Sequence, residues 1–240
     1  MKIIYLHQHI KNISQTRTIK NSITLMHNIT LICTVHKDMG KCNSKELLKL
    51  IKKNKPDVIF EELSETTYRE CYELGRETLE STAIKMYLED NNINHIPVVG
   101  TEISDEFNQK LEISKNHSGC NRLLNKLLTL QHVHGFDYLN SKYVDDLFDV
   151  LFRQEQDIVA FSKDDVITNI YKRANRNIDI YENDIVENVY NYRSSNKYNN
   201  ALMFIGSAHR KSIIDKINRK NQKEELKLNW TFYNGDEYFS

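Results

Sequence analysis

The sequence predicts an α/β fold: a central, mostly parallel sheet flanked by helices, with a large helical insertion before the last βαβ unit. Three observations carry this reading. Short runs rich in β-formers, at Ile29 to Val35, Val58 to Phe60, Ile96 to Val99 and Ala201 to Ile205, have the length and near-continuous apolarity of strands covered on both faces. The first three are separated by segments of helical spacing, long enough for the crossovers that parallel strands need. From Glu102 to about Asn200 no comparable strand signal occurs, and apolar residues recur instead at helical intervals.

Taken in order, the opening MKIIYLHQHI alternates Ile4 and Leu6 against Tyr5 and His7, which suits a strand. The run Ile29 to Val35 is the next strand. Asn43-Ser44 then offers an N-cap for a helix over KELLKLIKKNK, where Leu47, Leu48, Leu50 and Ile51 form the apolar stripe. Lys55-Pro56-Asp57 stops that helix, and Val58-Ile59-Phe60 follows as a buried strand. Ser81 to Asp90 reads as the end of a second helix carrying Ile84, Met86, Tyr87 and Leu88, before Ile96-Pro97-Val98-Val99 as the third strand of a βαβαβ unit. In the insertion, Leu123, Leu124, Leu127 and Leu128, then Val144, Leu147, Phe148, Leu151 and Phe152, mark amphipathic helices. After a polar connector, Arg193 to Asn200, the alternation resumes: strand Ala201 to Ile205, helix Lys211 to Asn218, and a last strand over Leu226 to Tyr233. We expect a single domain over 1–240, with 1–102 and 201–240 as the α/β core and 103–200 as the insertion.

Composition narrows the function classes. With 40% hydrophobic and 28% charged residues in 240, the chain has material for one sizeable core. Lys+Arg and Asp+Glu both number 33, so no net field argues for a nucleic acid or an anionic membrane as partner. No apolar run approaches the roughly 20 residues of a membrane span, and the polar start lacks a signal-peptide hydrophobic region, so a cytoplasmic protein is expected. Cys33, Cys42, Cys71 and Cys120 are irregularly spaced with no C-x-x-C pair; reduced thiols are expected rather than a zinc ribbon or a disulfide framework.

Open parallel sheets bind ligands outside the carboxyl ends of their strands, where loops converge. The strand ends here are His36, Glu61-Glu62, Glu102 and Gly206-Ser207-Ala208-His209. Two imidazoles and two or three carboxylates at one edge form a ligand set for Zn, Mn, Fe or Co with positions left for water. Such a cation would lower the pKa of its water to about 7 and polarise a carbonyl or phosphoryl group. Without a metal, a Glu–His pair could still activate water, the carboxylate orienting the imidazole. Both readings point to hydrolysis. Glu61, one residue from Glu62, should face the other side of its strand, as an ion-pair or supporting residue. The turn at Ser207 could present free N–H groups to an oxyanion with Arg210 nearby, or Ser207 could simply cap the helix. Cys33 belongs to an apolar strand and reads as packing rather than nucleophile. His7/His9 and His132/His134 have the i, i+2 spacing of an extended segment, and the second pair could sit on a loop over the site. Phe136, Tyr138, Tyr143, Phe148, Phe152 and Phe161 are expected mostly in the core, while Tyr181, Tyr190, Tyr192 and Tyr198 suggest exposed packing or hydrogen-bond donors.

The order C-T-V-His36, K-P-D-V-I-F-E-Glu62-Leu63 and F-I-Gly206-Ser207-Ala208-His209 resembles the superfamily of erythromycin esterases, ChaN, TraB/PrgY and GumN/Tiki proteins. That resemblance implies an α/β core with inserted helices and a hydrolase, in several members metal-dependent. It matches His36 and His209 to the two motif histidines and Glu62 to the strand-end glutamate, with Cys33 standing where the first motif has glycine. We therefore expect His36, Glu62 and His209, with Glu102, to hold a divalent cation and activate water on an ester or amide. The substrate would be a small molecule or peptide chosen by the insertion, and a homo-oligomer is compatible with this reading. ChaN-like relatives also make a haem-binding module an alternative, and a toxin or defence effector on the same framework is another.

Overall fold

The computed structural model describes residues 27–224 and 227–236. The strand and the His7/His9 pair expected near the start lie outside these residues. The elements run β1 (Asn28–Thr34), α1 (Ser44–Asn54), β2 (Val58–Glu61), α2 (Glu65–Tyr72), α3 (Leu79–Leu88), β3 (Asn94–Pro97), α4 (Asp105–Asn116), α5 (Ser118–His134), α6 (Phe136–Leu139), α7 (Lys142–Ser162), α8 (Asp165–Ser195), β4 (Asn200–Gly206), a 3₁₀ turn at Ser207–His209, α9 (Arg210–Lys223) and β5 (Asn229–Phe232).

The five strands form one all-parallel sheet in the order β3-β2-β4-β1-β5. This is the expected α/β class with its helical segment, α4 to α8, between β3 and β4. The topology departs from a plain βαβαβ unit in one respect: β4 lies between β1 and β2, so the strand after the insertion fills the middle of the sheet. Period-two alternation divides the strand residues between two cores. Ile29, Leu31 and Cys33 of β1, Val58 and Phe60 of β2, and Ala201, Met203 and Ile205 of β4 face α8 and α9, meeting Tyr181, Ile185, Val189 and Ile213. Ile32, Ile59, Leu202 and Phe204 face the other way, against α1, α3 and the α5 to α7 helices. Covering both faces is why these strands read as near-continuous apolar runs.

Local signals set the helix ends. The Asn43 side chain accepts the Glu46 N–H at 3.1 Å, Leu47 and Ile51 are buried, and Lys55 takes the left-handed conformation at φ 46° before Pro56. A capping box between Thr78 and Ser81 starts α3. The 31 residues of α8 make a rod of about 46 Å. Its first half packs on α4, and its second half roofs the sheet.

Beyond the end of β5, Asn140 finishes the sheet edge. Its amide accepts the Cys33 N–H at 2.7 Å and donates to the Cys33 carbonyl at 3.0 Å, so a side chain takes the place of the next residue of a strand. Gly40, at φ +56°, sits so close to α5 that a Cβ there would lie 2.2 Å from the His132 carbonyl oxygen. His132 and His134 belong to the last turn of α5, not to a loop lowered over the sheet, because the helix continues to Gly135. All four cysteines are buried free thiols. Among the described residues, no helix is long and apolar enough to cross a membrane.

Candidate active site

The carboxyl ends of β1, β2 and β4 gather two histidine–carboxylate pairs. Because β1 and β4 are neighbours, with Thr34 beside Gly206, His36 and His209 leave the sheet from adjacent strands. Glu62 follows β2 on the other side of β4.

His209 is held between two carboxylates. Its Nδ1 lies 2.8 Å from Glu182 Oε1, and its Nε2 lies 3.5 Å from Glu62 Oε1. Glu62 also takes the Tyr181 hydroxyl at 2.8 Å and the backbone N–H of Gly206. Behind His209, Glu182 accepts from Ser212 Oγ at 2.5 Å, and Lys216 Nζ stands 3.4 Å away with a second ion pair to Asp179. Burial alone would push the His209 imidazole down, but the hydrogen bond to Glu182 and the charges of Glu62 and Glu182 outweigh it and hold His209 above its ordinary value. The imidazole therefore keeps its proton over a wider pH range, in the form that donates from both nitrogens. Burial, reinforced by the Glu62 charge, keeps the Tyr181 phenol protonated as a donor.

The second pair is more open. Glu80, at the start of α3, takes the Thr34 hydroxyl at 2.7 Å and faces His36 Nδ1 at 3.4 Å. The hydrogen bond to Glu80 raises His36 to about 9 against an opposing desolvation, and Glu62 adds to the rise at longer range. The His36 side chain is 60% exposed, so it borders the site and does not form its floor.

The remaining sequence candidates divide plainly. Glu61 turns away from Glu62, as alternation requires: it is buried, takes the Tyr72 hydroxyl at 2.7 Å and pairs with His95 Nδ1 at 2.8 Å. Glu102 is exposed and makes no ion pair with His36, Glu62 or His209 among the described residues; β3 ends at Pro97, and the chain runs on through Gly100 before reaching it. Arg210 is committed to Asp145 and so is not a free cation beside the turn. Ser207 does not cap α9. The chain makes a 3₁₀ turn there, without a side-chain cap, and α9 begins at Arg210. Cys33 packs between the sheet and α8, and burial raises its thiol far above the range in which a thiolate forms. Tyr181, Tyr190 and Tyr198 are buried rather than exposed, whereas Phe161 is 80% exposed.

Glu182 and Glu80 were not among the candidates. Both lie on helices, where no strand-end rule applies, and only the folded chain brings them to the histidines.

His209 and Glu182 open onto a cavity of about 870 Å³ between α4, α7, α8 and the start of α9. A smaller space of about 450 Å³ lies behind Phe148, toward α5, and Ser207 borders both. No family model, curated protein or solved structure matches this chain. As for a metal, His209 Nε2 and Glu62 Oε1 stand 3.5 Å apart. Two ligands about 2.1 Å from one cation at a tetrahedral angle are about 3.4 Å apart, so this pair fits two positions of a site. His36 faces Glu80 instead, and no three His, Cys, Asp or Glu side chains converge as a ligand group among the described residues. What the arrangement offers by itself is an acid and a base side by side, His209 lining the end of a cavity and Glu62 next to it.

Proposed function

We propose that this chain is a hydrolase of the ester or amide class, in which Glu62 takes a proton from water and the His209 imidazolium returns one to the leaving group. The observation that carries this reading is the buried Glu182–His209–Glu62 array, of which His209 and Glu182 line the 870 Å³ cavity and Glu62 stands behind His209. Positioned acid–base pairs of this kind contribute about 10²–10⁴-fold to proton-transfer steps. Glu182 orients the ring through Nδ1, which leaves Nε2 toward Glu62 and the reacting group. Tyr181 and the Gly206 N–H fix the Glu62 carboxylate. His36, at the rim, is placed to meet the polar end of a substrate. The resemblance to the erythromycin esterase, ChaN, TraB and GumN/Tiki superfamily supports the same assignment through His36, Glu62 and His209. A divalent cation (Mn, Zn, Fe or Co) on Glu62 and His209 would supply Lewis-acid polarisation of the carbonyl. The composition supports a cytoplasmic setting.

The test is a panel of esters and amides, with and without each of these metals, alongside elemental analysis of protein purified without chelator. Glu62→Gln and His209→Ala should each lower kcat/KM at least about 100-fold while the far-UV spectrum is kept. Activity that survives both substitutions defeats the proposal. Metal bound to wild type and lost from His209→Ala assigns the cation to this site.

A further inference from the structure

The cavity is a trough with a direction. Along α7 its wall runs from Asp145 to Val159, and along the antiparallel α8 from Glu182 back to Thr168. Each wall therefore spans about 14 residues, or about 21 Å at 1.5 Å per residue. His209 and Glu182 stand at one end. Between them and the middle of the trough the walls are mainly apolar, with Leu124, Phe148, Leu151, Phe152 and Ile178, and the Lys211–Asp149 ion pair lies along the α9 side. At mid-length the polarity changes. Lys110 Nζ donates to Glu155 at 2.9 Å and to Asn175 at 3.0 Å, and Ser114 closes the group through Glu155 at 2.7 Å and Tyr171 at 3.1 Å. From Glu182 to Asn175 along α8 is about 10 Å, and from Asp145 to Glu155 along α7 about 15 Å.

We propose that this trough binds a single unbranched apolar chain, making the substrates carboxylic esters of roughly eight to twelve carbons in the acyl group. The assignment rests on the hydrolase reading above for the reaction and on the trough for the chain. An extended chain advances about 1.2 Å per bond, so 10 to 15 Å accommodates about eight to twelve carbons. The Lys110–Glu155 pair sets the limit, because a longer chain would have to lie against a buried, fully partnered ion pair instead of hydrocarbon. An extended peptide fits poorly. The walls are helices whose backbone groups are bonded within themselves, so a peptide would bury amides without partners. The Lys110–Glu155 and Lys211–Asp149 pairs are each neutral as a unit.

The full chain is assayed against p-nitrophenyl esters of straight-chain acids from acetate to dodecanoate, and dodecanoate is titrated by calorimetry into wild type and His209→Ala. We expect kcat/KM to rise roughly threefold per methylene and to level off near ten carbons. Dodecanoate should bind both proteins. Ile178→Trp, which narrows the trough, should flatten the rise; Phe152→Ala, on a half-exposed wall position, reads the same surface and should reduce the gain per methylene should the first variant fail to fold. A flat series in a hydrolytically active protein overturns the trough assignment and leaves the hydrolase reading standing. Dodecanoate binding without ester hydrolysis does the reverse. Preference for an extended peptide over dodecanoate, or a Soret band on titration with haemin that dodecanoate does not displace, also overturns it.

Discussion

Removing the charge of Glu182 tests the array around His209 most directly. Glu182 is 3% exposed, and its two oxygens are shared among His209, Ser212 and Lys216. Alanine would leave two cationic side chains facing an apolar gap. Breaking one partner of a buried charge pair costs about 3–5 kcal/mol, and because Lys216 keeps Asp179 we take the lower end, about 3 kcal/mol. Glutamine keeps the shape and one acceptor. It turns charge-assisted hydrogen bonds into neutral ones, a loss of about 1–2 kcal/mol. At about 2–4 °C per kcal/mol for a chain of this size, the melting temperature should fall about 6–12 °C for Glu182→Ala and about 2–8 °C for Glu182→Gln. The pH dependence has a definite sign. His209 is raised in the folded protein, so its stabilising contribution is complete below about 6.5 and is lost as pH rises through the raised value. The gap between wild type and Glu182→Gln should thus be widest in mildly acidic solution and narrow toward alkaline pH. In the proposed hydrolysis, where protonated His209 would be the acid, the alkaline fall in kcat should move to lower pH in Glu182→Gln. Thermal melts by circular dichroism across pH, with kcat profiles, measure both. Melting within about 1 °C of wild type at every pH would refute the paired-carboxylate account.

Glu80→Gln should return the titration of His36 from about 9 toward its ordinary value near 6.5, followed by NMR of the ring protons; a titration that stays near 9 would show that Glu80 is not the cause. Asn140→Leu orphans the buried N–H and carbonyl of Cys33 at about 1–3 kcal/mol each, and should shift the urea midpoint downward without changing the slope. An unchanged midpoint would mean that water replaces the amide. Gly40→Ala and Gly75→Ala both place a side chain at positive φ, but only Gly40 faces a backbone oxygen, 2.2 Å from the added carbon, while Gly75 has open space. Strain alone costs about 1–2 kcal/mol, so Gly75→Ala should lose about that much and Gly40→Ala clearly more; equal losses would remove the contact with α5 from the explanation.

How far the sequence discloses the fold follows from what each signal depends on. A strand covered on both faces must be apolar along its length, so Ile29 to Val35, Val58 to Phe60 and Ala201 to Ile205 announce β1, β2 and β4 locally. Their order does not. That β4 inserts between β1 and β2 depends on pairings some 170 residues apart in sequence, such as Asn28 with Asn200, and no local pattern encodes them. The boundaries of β3 shifted for a related reason. It is an edge strand from Asn94 to Pro97 with partly exposed residues, and the apolar Val98 and Val99 beyond it bond as loop to Glu61 and Leu63. Phe161 shows where an apolar side chain misleads: it lies in the last turn of α7, off the face carried by Val144, Leu147 and Leu151, and ends 80% exposed.

The site divides along the same line. Glu62 and His209 are legible because each directly follows a buried strand, and alternation already separates Glu62 from Glu61. The groups that define their chemistry are not. Tyr181 is legible only as one of four tyrosines with a hydroxyl to donate, and Glu182, next to it on α8, is unmarked by the surrounding pattern. They meet Glu62 and His209 only because a 31-residue helix begins in the insertion and ends on the sheet. That continuity bears on the proposed hydrolysis. Asn175 and Ile178 line the trough one to two turns before Tyr181 and Glu182, on one unbroken helix. A chain that fills the trough packs against the same rigid element that orients the acid and the base. Binding energy gained along the apolar wall can therefore be expressed as alignment of His209 and Glu62, in kcat and not only in KM.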